Sequence, residues 1–116
     1  MDGEIQKQVL DDDPALREIV QRLADAYHPL QIYLFGSKAR GTSGPDSDYD
    51  LLVVMRDDAP PELRSSKLAY QSLWGIGVGN PTDVLVCPDS WFRSRATVIT
   101  SLPATVMREG RLLYAA

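Results

Sequence analysis

At 116 residues, 44% hydrophobic and 24% charged, the chain fits a single soluble globular domain spanning 1–116, with room for a modest core and no second domain. Its 12 basic and 16 acidic residues leave a formal net charge of −4, which disfavours the broad basic face that grips nucleic-acid backbones; extended nucleic-acid binding is therefore not expected. No apolar run reaches bilayer length and no basic-then-apolar leader opens the chain, so it reads as a cytoplasmic protein with no membrane attachment.

Residues 1–12 read as a polar, acidic lead-in, free to flex; the run Asp11-Asp12-Asp13 is given no metal role. Asp13-Pro14 is a helix start, because Asp caps free N–H groups and Pro suits the first helical position. Leu16, Ile19, Val20, Leu23, Ala24 and Tyr27 then recur at spacings of three and four, the period of an amphipathic helix that ends near His28-Pro29. His28, the single histidine, sits where capping is its expected role. Gln31 to Phe35 (QIYLF) is a short run of strand formers, stopped by Gly36. SKARG reads as a short helix and TSGPDS (42–47) as turn chemistry. Asp48 to Met55 (DYDLLVVM) predicts a second strand. Pro60-Pro61 opens a predicted helix to about Ile76, with Leu63, Tyr70, Leu73 and Trp74 facing inward; Gly75, Gly77, Gly79 and Asn80-Pro81 break it. Thr82 to Cys87 (TDVLVC) predicts a third strand. Pro88-Asp89-Ser90 begins a helical turn carrying Trp91 and Phe92. A last helix is predicted near Pro103 to Glu109, closed by Gly110, before a short strand over Arg111 to Tyr114. The order α-β-(α)-β-α-β-α-α-β predicts an α+β (mixed α/β) domain, a small mixed sheet flanked by helices.

Cys87 is the single cysteine, which excludes an internal disulfide and a zinc-finger-type site; at the end of an apolar strand it reads as a core residue. With no paired His and Cys, nucleophilic catalysis of the protease type has little support.

The acidic residues are more informative. In Leu34-Phe35-Gly36-Ser37-Lys38-Ala39-Arg40-Gly41 an apolar strand runs into Gly-Ser and a helix start. Gly36 lets a phosphate approach the backbone, Ser37 adds a hydroxyl, and Lys38 and Arg40 add positive charge. Alone, this is an ordinary strand-to-helix turn. Asp48 and Asp50 lie two apart in a strand, so both carboxylates leave one face while Tyr49 leaves the other. Asp is disfavoured in strands and two on one face repel, an arrangement that a divalent cation would compensate. The bland alternative makes Asp46 and Asp48 turn residues and Asp50 a solvated strand end. Asp83 opens the third strand as Asp48 and Asp50 open the second. If those strands are neighbours, three carboxylates meet at one end of the sheet and could hold two metals roughly 3.5–4 Å apart; alone, Asp83 is a turn residue.

Gly36-Ser37, ten intervening residues and then Asp48-x-Asp50 resemble the signature of the DNA polymerase β-like nucleotidyltransferase superfamily. LFGSKARG and SDYDLLVV are especially similar to its minimal nucleotidyltransferase (MNT) group. The sharp match covers residues 32–55; the REGRLLY ending is similar more loosely. The resemblance implies a polymerase β palm-like core. It implies that Gly36 and Ser37 grip the phosphates of ATP or another nucleoside triphosphate, with Lys38 and Arg40 nearby, Arg40 alternatively fixing the loop. It implies that Asp48, Asp50 and Asp83 bind one or two Mg²⁺ ions, Asp83 also helping to deprotonate an acceptor hydroxyl. The reaction would be in-line attack on the α-phosphate with release of pyrophosphate, resting on positioning and charge neutralisation.

Larger relatives carry extra acceptor-binding domains, and only about thirty residues follow Asp83. Many MNT proteins pair with a HEPN partner, often an RNase toxin, and act as antitoxins that attach AMP to it. That is the function the resemblance implies here. Two rivals stand beside it: an antitoxin that neutralises by contact with little catalysis, and a stand-alone enzyme acting on a small molecule. Trp74, Trp91 and Phe92 read as core or interface residues rather than a base-stacking platform; any that lie exposed together would mark a partner surface.

Overall fold

The computed structural model describes residues 4–5, 13–40, 48–75 and 82–116. Helix α1 (Pro14–Tyr27) starts as the sequence dictates. The Asp13 carboxylate accepts the Leu16 N–H at 3.1 Å, and Pro14 occupies the first turn, where no N–H is needed. His28 closes it in the left-handed conformation at φ 48°, its N–H donating to the Ala24 carbonyl at 2.9 Å. The six apolar positions at helical spacing, Leu16 to Tyr27, are all buried.

Strand β2 (Gln31–Phe35) pairs antiparallel with β3 (Tyr49–Met55), and β3 pairs in parallel with β4 (Thr82–Pro88). On its other side β2 pairs antiparallel with β5 (Arg111–Ala115), which pairs with a two-residue strand β1 (Glu4–Ile5). The sheet is mixed, in the order β1-β5-β2-β3-β4. A short helix α2 (Ser37–Arg40) follows β2 directly, α3 (Lys67–Ser72) lies in the crossover from β3 to β4, and α4 (Asp89–Arg95) and α5 (Leu102–Glu109) lead back to β5. This is the expected α+β class, with helices on both faces.

Strand alternation sorts the core into two clusters. On one face Ile32, Leu34, Tyr49, Leu51, Val53, Met55, Val84 and Leu113 pack against α1 and Ala69 of α3. On the other face Tyr33, Leu52, Val54 and Cys87 pack against Phe92 of α4 and Val106 of α5, with Tyr33 and Phe92 stacked at 5.4 Å. Cys87 is buried as expected, and burial pushes its thiol up to about 12, where it is inert as a nucleophile.

Two expectations are overturned. The helix predicted from Pro60 to about Ile76 is broken: Pro61–Leu63 forms a 3₁₀ turn and α3 starts again at Lys67. Ser65 is the cause. Its hydroxyl accepts the Lys67 N–H at 3.0 Å and its carbonyl accepts the Tyr27 hydroxyl, so its polar groups serve local and tertiary partners instead of a continuous helix. Of the predicted inward positions in this segment, Leu63 and Leu73 are partly buried, whereas Tyr70 is 54% and Trp74 85% exposed. The break resets the helix phase and turns both rings outward. Within the lead-in, Glu4–Ile5 adds a short strand to the sheet. The turn 42–47 with Asp46, Gly41, the other residues of 1–12 including Asp11 and Asp12, Ile76, and the breakers Gly77, Gly79 and Asn80-Pro81 lie outside the described residues.

Candidate functional site

Three chain segments meet at one end of the sheet because of strand direction. β2 runs antiparallel to β3, so its last residue, Phe35, is the register partner of Asp50 near the start of β3. β4 runs parallel to β3, so its second residue, Asp83, is also the partner of Asp50. Alternation then puts Asp50 and Asp83 on the same face, and places Asp48, two residues before Asp50, on that side as well. Asp48 immediately precedes β3 and, like Asp83, is exposed; Asp50 is half-buried.

Gly36 turns the chain from β2 into α2 with φ 77°, a conformation that favours glycine. It also lies against the acidic group. A Cβ built at Gly36 would collide with Oδ2 of Asp50 and stand 3.3 Å from its Cγ. The bend and the carboxylate therefore share a space that a side chain would fill. Burial raises the proton affinity of Asp50 above the ordinary carboxylate value; the Asp83 and Asp48 charges raise it further. Charge repulsion is thus concentrated at the point nearest the bend.

The donor set consists of carboxylates alone, with no imidazole or thiolate, which suits a hard cation such as Mg²⁺. Among the described residues no three acidic, His or Cys side chains are drawn together closely enough to enclose an ion. An open arrangement is compatible with Mg²⁺, which usually takes one or two protein carboxylates and completes its shell with phosphate oxygens and water.

The basic candidates are placed differently. The Lys38 ammonium lies 4.7 Å from the centroid of the Tyr49 ring, and that ring leaves β3 on the face opposite Asp50. Arg40 forms a 3.8 Å ion pair with Glu109 at the end of α5. Ser37 is the first residue of α2, directly after the bend. Sequence reasoning missed what holds these pieces. The Tyr49 hydroxyl donates to the Asp13 carboxylate at 3.0–3.1 Å, so the residue between the two aspartates is fastened to the α1 cap. Arg111 donates from Nε to the Ala39 carbonyl of α2 at 3.0 Å. The charged and glycine character of REGR was the available signal. Trp91 is 38% exposed beneath the Arg95 guanidinium, Phe92 is buried, and Trp74 lies in the turn after α3, lining one cavity with Tyr70, so the three rings form no single platform.

Comparison with known proteins adds further findings. A family model described as nucleotidyltransferase domain matches residues 15–112. A toxin–antitoxin crystallised with AMP-PNP is 29% identical over 86% of this chain and 73% of that chain, with a TM-score of 0.57. A mutant of the MntA–HpeT toxin–antitoxin is 27% identical over 86% and 73%, with a TM-score of 0.56. A nucleotidyltransferase-like protein of Sulfolobus solfataricus shares the fold at 22% identity, over 85% of this chain and 76% of that one, with a TM-score of 0.55. A search of curated protein sequences gives no match. Among the described residues no helix is long and apolar enough to cross a membrane.

Proposed function

This chain belongs to the nucleotidyltransferase domain family, and from that premise we propose that it moves a nucleoside monophosphate, AMP from ATP, onto a hydroxyl of a HEPN-type partner protein and thereby acts as an antitoxin. One juxtaposition carries the proposal: the Gly36 bend lies against Asp50, and Asp50 stands opposite Asp83 on the same face of the sheet.

Asp48, Asp50 and Asp83 would hold the divalent cation, with Gly36 and Ser37 beside the phosphates. When bound, Mg²⁺ would neutralise triphosphate charge and turn an acidic cluster that repels phosphate into one that accepts it. The acceptor oxygen attacks the α-phosphorus, a new P–O bond forms, and the bond to the β-phosphate oxygen breaks as pyrophosphate leaves in line. Asp83, exposed at the mouth of the group, takes the hydroxyl proton. Gly36 leaves the space beside Asp50 free of a side chain, so a phosphate can approach both. Lys38 and Arg40, engaged by Tyr49 and Glu109, support the bend in this reading, with direct phosphate contact open to them if those contacts are exchanged.

The partner reading is supported by the toxin–antitoxin relatives, one of them crystallised with AMP-PNP. The test is incubation with a HEPN-type partner and Mg·ATP. A mass gain of one or more AMP units on the partner is expected, and none with the chain carrying Asp48→Asn and Asp50→Asn. An unmodified partner whose toxicity the double variant still neutralises would establish the contact-only antitoxin instead.

A further inference from the structure

Helix α2 is one turn of four residues, entered through a hydrogen bond from the Arg40 N–H to the Gly36 carbonyl at 3.2 Å. A helix of one turn does not hold itself in water. The direction of α2, and with it the bend that begins it, must be set from outside. Three contacts do so: Lys38 rests on the Tyr49 ring, Arg40 pairs with Glu109, and the Arg111 Nε–H bonds to the Ala39 carbonyl at 3.0 Å. The Arg40–Glu109 pair is long and exposed on both sides, an arrangement of little energetic consequence. The Arg111 bond is charge-assisted, meets a backbone carbonyl, and acts at the C-terminal end of the turn, where a cation is favoured.

Arg111 reaches that carbonyl because of the residue before it. Gly110 sits with φ −78°, so its backbone conformation is ordinary; its small size matters. A Cβ there would stand 2.9 Å from the Leu34 carbonyl and closer still to the Val106 carbonyl. Without it, the junction of α5 and β5 lies flat against β2, Arg111 comes into register with Leu34, and its side chain passes to α2.

We infer that Arg111 is a positioning residue for the nucleotide site: it fixes α2 through the Ala39 carbonyl and so holds the Gly36 bend against Asp50. The inference rests on the proposed function for its consequence in nucleotide binding. The anchoring itself is measurable without nucleotide.

The test uses the full 116-residue chain. In nucleotide-free protein, Arg111→Met should speed hydrogen exchange of the Arg40 amide roughly tenfold, the factor a charge-assisted hydrogen bond commands, while exchange in β3 and α1 stays unchanged. The Kd for Mg·ATP should rise by a similar factor, and Arg111→Lys, which keeps a cationic donor, should recover most of it. Unchanged exchange at Arg40 overturns the inference whatever the nucleotide does. So does faster exchange with unaltered ATP affinity, or faster exchange spread over the whole chain, which would mark a general loss of stability. Failure of the parent chain to bind Mg·ATP counts against the proposed function instead, and the Arg40 exchange then decides the anchoring alone.

Discussion

Asp50 and Asp83 stand opposite each other as register partners in the parallel β3–β4 pair, their carboxylates on one face of the sheet. Like charges directly opposite are destabilising, and Asp48 adds a third from the same side. Apolar residues there would stabilise the fold, so the acidic group carries a cost in stability, as the proposed site requires.

That cost sets the first prediction. Asp50 binds its proton more tightly in the folded chain than in the unfolded one, through burial first and then Asp83 and Asp48. An acid with a raised native pKa favours folding while protonated, and this contribution is lost as pH rises through the native value. At pH 7 the charge is therefore a burden that Asp50→Asn removes. The variant should melt roughly 2–4 °C higher than the parent at pH 7 for a domain of this size, and the gap should close on acidification. Mg²⁺ should stabilise the parent and leave the variant unmoved. A lower melting temperature for Asp50→Asn at pH 7 would contradict the reading of Asp50 as repelled.

Gly36→Ala imposes two penalties at one position. The positive φ strains any Cβ, and that Cβ would meet the Asp50 carboxylate. Together they should cost about 1–3 kcal/mol. Nucleotidyl transfer should fall at least tenfold, because the carboxylate must move. Removing the carboxylate as well, with Asp50→Ala, should return about 1 kcal/mol of the loss, an interaction that denaturant titration of the single and double variants resolves. Strict additivity would mean the two residues do not compete for space.

Much of this architecture is legible in the amino-acid sequence. Asp13-Pro14, the Leu16 to Tyr27 spacing and the apolar strands follow from local chemistry, and Asp48-x-Asp50 fixes its own sidedness through strand alternation. The Asp50–Asp83 pairing is legible only conditionally, because strand adjacency depends on how the 56–81 crossover runs. The break at Ser65 is not legible, since it needs the Tyr27 hydroxyl from 38 residues away. Arg111 is equally hidden: its partner is a backbone carbonyl 72 residues distant, which leaves no pattern in sequence.

The aromatic side chains give a contrast that exposure alone predicts. Phe92 is buried and stacks on Tyr33, whereas Trp74 is 85% exposed. Phe92→Ala should cost about 3–5 kcal/mol through lost burial and the cavity left behind. Trp74→Ala should stay within about 0.5 kcal/mol. Chemical denaturation of both variants tests this, and a large loss at Trp74 would show that its ring packs inward.

Tyr49 ties the acidic strand to α1 and carries the last prediction. Its hydroxyl donates to the Asp13 carboxylate, and Asp13 is also the α1 cap, so one side chain serves two structures. Tyr49→Phe removes the hydroxyl bond and keeps the ring beneath Lys38. It should cost about 1–2 kcal/mol at pH 7, the range for a hydrogen bond to a charged group. Asp13→Ala loses the cap and the acceptor together and should cost more, with a coupling of about 1 kcal/mol between the two changes. Alkali separates the hydroxyl from the ring. Burial and then the Asp13 hydrogen bond and charge push the Tyr49 phenol up to about 12, from 10.0. Between those values the unfolded chain releases a proton that the native chain keeps, so stability falls as pH rises. Tyr27 and Tyr33, also raised, add to that slope in both proteins. Phe at position 49 has no proton to lose. The stability curves of parent and Tyr49→Phe should therefore converge between pH 10 and 12. Curves that run parallel across that interval would show that Tyr49 titrates alike in the folded and unfolded chains, and that the Asp13 bond does not hold the strand.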